Sequence, residues 1–196
     1  MTVINTATED ELSEVVATKL INDVAPNCVI GLKLRKGGNG YLFSRIDNFR
    51  RMAYREYVLL ITDLDRRPCA PGMIAEWSRN NAFPDKLIFR VAVREIEAWL
   101  LDDRPGIAAM LGVSEAAVPT QPDTLEDPKQ TLLNLARGAS REVRGELLAP
   151  RNSLSSQGLG YNRTLAHYVN SIWDIERACD RSPSLRRAVD RLRGIN

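Results

Sequence analysis

The apolar run Val58-Leu59-Leu60-Ile61 constrains the fold of this chain more than any other feature, and two carboxylates follow it at Asp63 and Asp65. An uninterrupted run of this kind is typical of a strand that is covered on both faces, as in a parallel sheet. The stretch from Tyr57 to Thr62 is therefore predicted to be a buried strand.

Further runs rich in β-branched residues surround this strand in the sequence. They predict strands at Val3–Thr8, Val29–Leu34 and Leu87–Val93. Helical patterns lie between them, with apolar residues at intervals of three and four from Leu12 to Leu20 and a short helix expected at 72–81. Strands that alternate with helices predict an α/β fold with a mostly parallel, Rossmann-like sheet flanked by helices.

The β pattern ends near residue 94, and the rest of the chain is helical and basic. The sequence predicts an α/β core at 1–103 and a helical C-terminal extension at 104–196 that packs on the core. The net charge is +5 from Arg137 to the end and −3 before it, and Arg outnumbers Lys 22 to 5. An arginine-rich extension favours phosphate contacts, although a GC-rich genome would produce the same bias.

Composition excludes several classes of protein. The hydrophobic fraction of 44% and the charged fraction of 27% are ordinary for a globular domain, and no stretch approaches the ~18 apolar residues of a membrane span. Three widely spaced cysteines form neither a disulfide framework nor a zinc pattern. With no secretory signal in the first residues, we expect a cytoplasmic protein without membrane association.

Asp63 and Asp65 are the strongest candidates for chemistry. In an extended chain, side chains at i and i+2 point to the same face, so these two can converge on one hard cation. Sites in open α/β sheets form beyond the carboxyl ends of strands, and Mg²⁺ binds through one or two carboxylates. The alternative is an acidic turn that is paired with Arg66 or Arg67.

Two glutamates follow other predicted strands. Glu9 comes after the first strand, although it could instead be a first-turn acid that complements a helix dipole, and Asn5 could occupy the strand end in its place. Glu95 follows the last strand. In a helix, Glu95 and Glu97 would point about 200° apart, and Glu95 is favoured because it lies nearer the strand end.

Basic residues near glycines are candidates for binding phosphate. The segment Lys33–Gly40 carries three cations into a glycine-rich turn that can present backbone N–H groups. Its spacing is not that of a P-loop, and a solvated turn is the alternative. The candidates for nucleic-acid binding are Lys33, Arg35, Lys36, Lys129 and Arg163.

The order strand-Glu, basic strand, strand-Asp-x-Asp, strand-Glu resembles the Toprim fold of topoisomerases, primases and the nucleases of overcoming-lysogenization-defect proteins. By this resemblance Glu9, Asp63 and Asp65 would handle Mg²⁺ chemistry on a phosphodiester. Other stretches are similar to a bacterial family of unknown function with stand-alone Toprim-like domains: Arg90–Leu101, Asp127–Leu132 and Gly160–Arg163.

The resemblance implies a Mg²⁺-dependent (or Mn²⁺-dependent) nuclease that acts on DNA or RNA. Asp63 and Asp65 would hold the metal, Glu9 would act as base, acid or ligand, and Glu95 would add to the metal shell. The similar family also implies an ABC- or AAA-type ATPase partner and a role in phage defence. One alternative is a non-catalytic subunit of an ATPase complex. A haloacid-dehalogenase-type phosphatase is less favoured, because Arg67 stands where that motif has Thr or Val.

Overall fold

The computed structural model describes residues 1–35, 37–79, 81–150 and 152–195. Within these residues the strands are β1 (Thr2–Thr8), β2 (Cys28–Arg35), β3 (Tyr57–Asp63) and β4 (Leu87–Ala92). The helices are α1 (Glu11–Val24), α2 (Gly38–Ser44), α3 (Ile46–Met52), α4 (Ala70–Ser78), α5 (Ile96–Asp102), α6 (Arg104–Leu111), α7 (Pro128–Ala136), α8 (Arg141–Leu147), α9 (Tyr161–Ser171), α10 (Ile175–Cys179) and α11 (Pro183–Arg193).

The strands form one all-parallel sheet in the order β2-β1-β3-β4. The predicted α/β class, with a Rossmann-like parallel sheet flanked by helices, is confirmed. The chain places β2 on one side of β1 and β3 on the other, so the strand order reverses between β1 and β3. Ligand sites in open α/β sheets lie beyond the carboxyl ends of the strands at such a reversal.

β3 is buried on both faces, as its apolar run predicts. Val58 and Leu60 belong to a cluster with α2, α3 and α4, whereas Leu59 and Ile61 alternate to the opposite face. All four side chains are fully buried, and burial of each contributes roughly 1.5–3 kcal/mol. This burial fixes the position at which β3 ends, and therefore the position of Asp63.

The N-terminus of α1 determines where Glu9 lies. The helix begins at Glu11, and the Asp10 side chain caps it by accepting a hydrogen bond of 2.8 Å from the Ser13 N–H. Glu9 therefore lies between the end of β1 and the cap, outside the helix. A helix-dipole role in the first turn belongs to Glu11 and Glu14 instead.

The glycine-rich segment after β2 is less irregular than the sequence predicts. Gly37 and Gly38 have φ angles of 48° and 79°, in the left-handed region that favours glycine, and α2 begins at Gly38 with Gly37 as its N-cap. Leu42, Ile46 and Phe49 of α2 and α3 are buried against the sheet. These helices have seven residues each, which is too short for a clear periodic pattern.

The chain divides into two compact units that differ from the predicted domains. The first is 1–96 with 184–196, and the second is 97–183, whereas the sequence predicts a single boundary at 103/104. Residues from 97 onwards join the helical unit because the buried carboxylate of Glu97 accepts a hydrogen bond from Tyr161 Oη at 2.8 Å. The C-terminal helix joins the sheet unit, where Arg191 donates to the Asp85 carbonyl at 2.5 Å.

The helical unit is built around a buried carboxylate. Asp103 is fully buried, and it accepts hydrogen bonds from the Asp174 N–H at 2.9 Å and from Arg177 Nε at 2.8 Å. Tyr168 Oη lies 3.4 Å from the same carboxylate. A buried charge with this many donors holds several helices in register. Among the described residues, no helix is both long and apolar enough to cross a lipid bilayer.

Candidate functional site

Three of the predicted site residues lie at the carboxyl edge of the two central strands. Glu9 follows β1 directly, Asp63 is the last residue of β3, and Asp65 is two residues further on. β1 and β3 are hydrogen-bonded neighbours, and the strand order reverses between them. The sheet topology thus brings Glu9 and the aspartate pair to the same place, where such folds bind ligands.

Glu9 is tied to the end of β3 through one carboxylate oxygen. Its Oε1 atom accepts hydrogen bonds from the Thr62 hydroxyl and from the Asp63 N–H, the latter at 2.9 Å. Its Oε2 atom forms no hydrogen bond with any residue that the structure describes. Glu9 is therefore held in place by one oxygen, and the other is available for chemistry.

Burial raises the pKa of Glu9, and the negative charges of Asp65 and Asp10 raise it further. The hydrogen bonds from Thr62 and Asp63 act in the opposite direction. The ionised Glu9 is thus disfavoured by its surroundings, and a bound cation would relieve this cost. The effect of Asp65 also shows that these two carboxylates lie within electrostatic range of each other.

Asp65 does not continue the strand, so the argument that Asp63 and Asp65 share one face of an extended chain is wrong. β3 ends at Asp63, and Asp65 has a φ angle of 51°. Its N–H donates to the Arg94 carbonyl at 2.8 Å, which fixes the turn. Asp63 is half-buried and its Oδ1 atom is buried, whereas Asp65 is exposed. The two carboxylates therefore have different environments.

Asn39 and Arg94 support the turn at Asp65, and the sequence did not identify either as part of the site. Asn39 Nδ2 donates to Asp65 Oδ2 at 3.4 Å, and the Gly38 N–H donates to the Glu9 carbonyl at 3.2 Å. Arg94 Nη1 donates to the Asp65 carbonyl at 3.1 Å. In the sequence, the glycines around Asn39 predict a turn after the second strand, but nothing there predicts that Asn39 or Arg94 contacts Asp65.

The arginines near the aspartate pair have other partners. Arg67 forms an ion pair with Glu76, and Arg94 donates to the backbone carbonyls of Asp65 and Arg67. Asp65 forms no ion pair with a described residue. The alternative of an acidic turn neutralised by Arg66 or Arg67 therefore does not describe Asp65.

Asn5 and Glu95 lie apart from these contacts. Asn5 is in the middle of β1, where its buried side chain accepts from the Leu32 N–H at 2.7 Å across an irregularity between β1 and β2. Its role is structural, and Glu9 is the residue that follows the strand end. Glu95 is half-buried directly before α5, and the described hydrogen bonds of Glu9 and Asp65 are made with other residues.

The donor set at this edge suits a hard cation, because it consists of carboxylate oxygens. A bound cation would also offset the burial that raises the pKa of Glu9. Among the described residues, no group of three His, Cys, Asp or Glu side chains is arranged to hold a metal ion. Mg²⁺ does not require three protein ligands, since it commonly keeps several waters and uses one or two carboxylates.

The predicted phosphate-binding residues are divided between the two units. Lys33 and Arg35 both contact Glu14, at 3.7 Å and 3.0 Å, and Lys36 lies outside the described residues. In the helical unit, Lys129 lies over the Tyr161 ring at 5.0 Å and Arg163 forms an ion pair with Glu146 at 2.5 Å. The described cations among these candidates are therefore engaged within the protein, and none of them contacts the carboxylates of Glu9 or Asp65.

Comparisons of the chain with protein-family models, with curated proteins and with solved structures give no match. The site is therefore characterised by its own geometry: a glutamate and two aspartates at the reversal point of a parallel sheet.

Proposed function

We propose that the protein is a Mg²⁺-dependent or Mn²⁺-dependent phosphodiester hydrolase that acts on DNA or RNA. The observation that carries this proposal is the hydrogen bond of 2.9 Å between the Asp63 N–H and the Glu9 carboxylate. This contact joins the carboxyl ends of β1 and β3, the edge of the sheet that bears Glu9, Asp63 and Asp65. The resemblance to Toprim proteins supports the same assignment of these three residues.

Asp63 and Asp65 would hold the metal, with Glu9 as a further ligand or as the general base. The metal supplies activation of water and stabilisation of charge on the phosphoryl oxygens. Glu9 is suited to accept a proton, because its raised pKa lies nearer neutrality than that of an ordinary glutamate. Thr62 and the Asp63 N–H orient its carboxylate.

A non-catalytic subunit of an ATPase complex is the second candidate. The observation in its favour is that the described residues contain no group of three metal-binding side chains. In both proposals the partner is an ABC- or AAA-type ATPase, and a role in phage defence is consistent with either. The phosphatase alternative remains less favoured, because Arg67 stands where that motif has Thr or Val.

A cleavage assay on supercoiled plasmid and on single-stranded RNA, with Mg²⁺ or Mn²⁺, tests the proposal. We expect metal-dependent cleavage by the wild type and at least a hundredfold loss in Asp65→Asn and Glu9→Gln. Glu142→Gln, which neutralises an exposed carboxylate in the helical unit, should retain full activity. Cleavage that survives Asp65→Asn would contradict the assignment, and co-purification of an ATPase with an inactive wild type would favour the second candidate.

A further inference from the structure

Arg187 and Arg191 lie within electrostatic range of Arg90 in the sheet unit, and none of the three forms an ion pair with an acid among the described residues. Arg90 is in the middle of the edge strand β4, and Arg187 and Arg191 are one turn apart on α11. Phe89 and Val91, its neighbours in β4, point into the cluster formed with α2, α3 and α4. Because side chains alternate along a strand, Arg90 points to the opposite face, where it meets the charges of Arg187 and Arg191.

Arg90 is held in an unfavourable environment for a cation. Its Nε atom is buried and has no hydrogen-bond acceptor among the described residues, and its Nη1 atom donates only to the neighbouring Phe89 carbonyl, at 3.3 Å. Burial lowers the pKa of Arg90, and the charges of Arg191 and Arg187 lower it further. Like charges gathered around a partly buried guanidinium are costly unless an anion joins them.

No carboxylate among the described residues forms an ion pair with any of the three. Arg191 reaches the backbone carbonyl of Asp85, at 2.5 Å, and not its carboxylate. Other arginines of the sheet unit also lack an acidic partner among the described residues, as Arg51 and Arg55 do, but these two are exposed. Arg90 differs from them because its Nε atom is buried without an acceptor.

We propose that Arg90, Arg187 and Arg191 form a phosphate-binding site that holds the backbone of a nucleic acid. Guanidinium groups bind phosphate oxygens in a bidentate fork, and three of them can contact successive phosphates of one strand. Asp85 precedes β4, so Arg191 lies towards the amino end of the strand, away from the carboxyl edge that bears Glu9 and Asp63. The site would therefore position nucleic acid at a distance from the reacting bond. This inference rests on the proposed function, because it supplies the binding surface for the same substrate.

The test is nucleic-acid binding in EDTA, where no metal-dependent cleavage takes place. Fluorescence anisotropy with a labelled mixed-sequence duplex, and with its single strand, is measured over a range of salt concentrations. We expect Arg187→Gln/Arg191→Gln to weaken binding at least tenfold and to reduce the slope of log K against log salt by about 2, since each lost phosphate contact removes about one counterion.

A matched control separates the site from a general loss of charge. Arg51→Gln/Arg55→Gln removes the same charge from exposed positions in and after α3, which packs on the opposite face of the sheet, and should change affinity less than twofold. Arg187→Lys/Arg191→Lys keeps the charge and should restore most of the affinity. Thermal unfolding of each variant confirms that it is folded.

Equal weakening by both glutamine pairs, or no weakening by the α11 pair, would overturn the proposal. Binding of ATP that depends on the cluster, with oligonucleotide binding unchanged, would also overturn it and would assign the phosphate to a free nucleotide. Because binding is measured without metal, a wild type that binds but does not cleave refutes the hydrolase proposal alone. If the wild type cleaves and the variant Arg187→Gln/Arg191→Gln binds with full affinity, only the arginine site is refuted.

Discussion

At the scale of single residues, the backbone of Asp65 is an unusual feature of the site, and its partner Arg94 shares it with a φ angle of 66°. The Asp65 φ angle of 51° lies in a region where side chains other than glycine are disfavoured, although aspartate tolerates it better than most. The hydrogen bonds of its backbone with Arg94 hold the residue there. Local strain of this kind persists at functional sites when the surroundings fix it.

This geometry predicts that Asp65→Gly stabilises the fold while it removes function. Glycine adopts the left-handed conformation without steric cost, so we expect the free energy of unfolding to rise by about 0.5–1 kcal/mol. Urea denaturation measures this change, and Asp65→Ala, which lacks both the carboxylate and the conformational freedom, serves as the control. A lower stability for Asp65→Gly than for Asp65→Ala would contradict this account of the turn.

Asp102, in the helical unit, provides a pH-dependent prediction. Burial raises the pKa of Asp102 to about 7 and the Asp123 charge adds to the effect, whereas Ser182 and Arg181 oppose it. An acid whose pKa is raised by folding binds its proton more tightly in the folded state, so the free energy of unfolding falls as pH rises from about 4 to about 7. Below about pH 4 the Asp102 carboxyl is protonated in both the folded and the unfolded state, so its contribution to the free energy of unfolding no longer changes with pH.

Asp102→Asn should therefore flatten this part of the stability profile. We expect the variant to gain on the order of 3 kcal/mol over the wild type between about pH 4 and about pH 8. Chemical denaturation of both proteins across this range measures the difference. Parallel profiles for the two proteins would show that Asp102 does not titrate in this range.

At the scale of elements, the strands were predictable and the positions of the site residues were only partly so. β3 follows directly from its apolar run, because a strand with no polar face must be covered on both sides. The conformation of Asp65 could not be predicted from the i, i+2 spacing, since the strand ends at Asp63 and the turn depends on a tertiary contact with Arg94. α2 and α3 were missed because each has seven residues and α2 contains two glycines.

Gly31 lies in β2 where the pairing with β1 is irregular, and its position gives a prediction about the stability of the sheet. The register shifts between Ile4 and Thr6, and the Asn5 side chain replaces part of the hydrogen bonding there by accepting from the Leu32 N–H. A Cβ atom at Gly31 would lie 2.5 Å from Asn5 Oδ1 and 2.8 Å from Val3 Cγ1. Glycine is therefore required at this position by space rather than by its φ angle.

We expect Gly31→Ala to destabilise the sheet by about 1–3 kcal/mol, which is typical of overpacking. Gly145→Ala, where a Cβ would meet no atom within 4 Å, is the matched control and should be neutral or slightly stabilising. Thermal unfolding of the two variants gives the comparison. Equal melting temperatures would mean that the β1–β2 irregularity accommodates a side chain.

At the scale of the whole molecule, the division into two units places the candidate site in one of them. Glu9, Asp63, Asp65 and Glu95 all belong to the unit formed by 1–96 and 184–196, and so does the arginine cluster. Lys129 and Arg163 belong to the helical unit. The sequence predicted an α/β part and a helical part, but the return of the last helix to the sheet unit depends on tertiary contacts that have no local signal.

The central claim is that the carboxylates at the reversal point of the sheet bind a divalent cation. Calorimetric titration of the full chain with Mn²⁺ tests it most directly, with Asp63→Asn/Asp65→Asn as the variant and Glu142→Gln as the control. We predict binding by the wild type and by Glu142→Gln, and its loss in the double variant. Thermal unfolding checks that all three proteins are folded. Absence of binding in the wild type, or equal binding by the double variant, would contradict the claim.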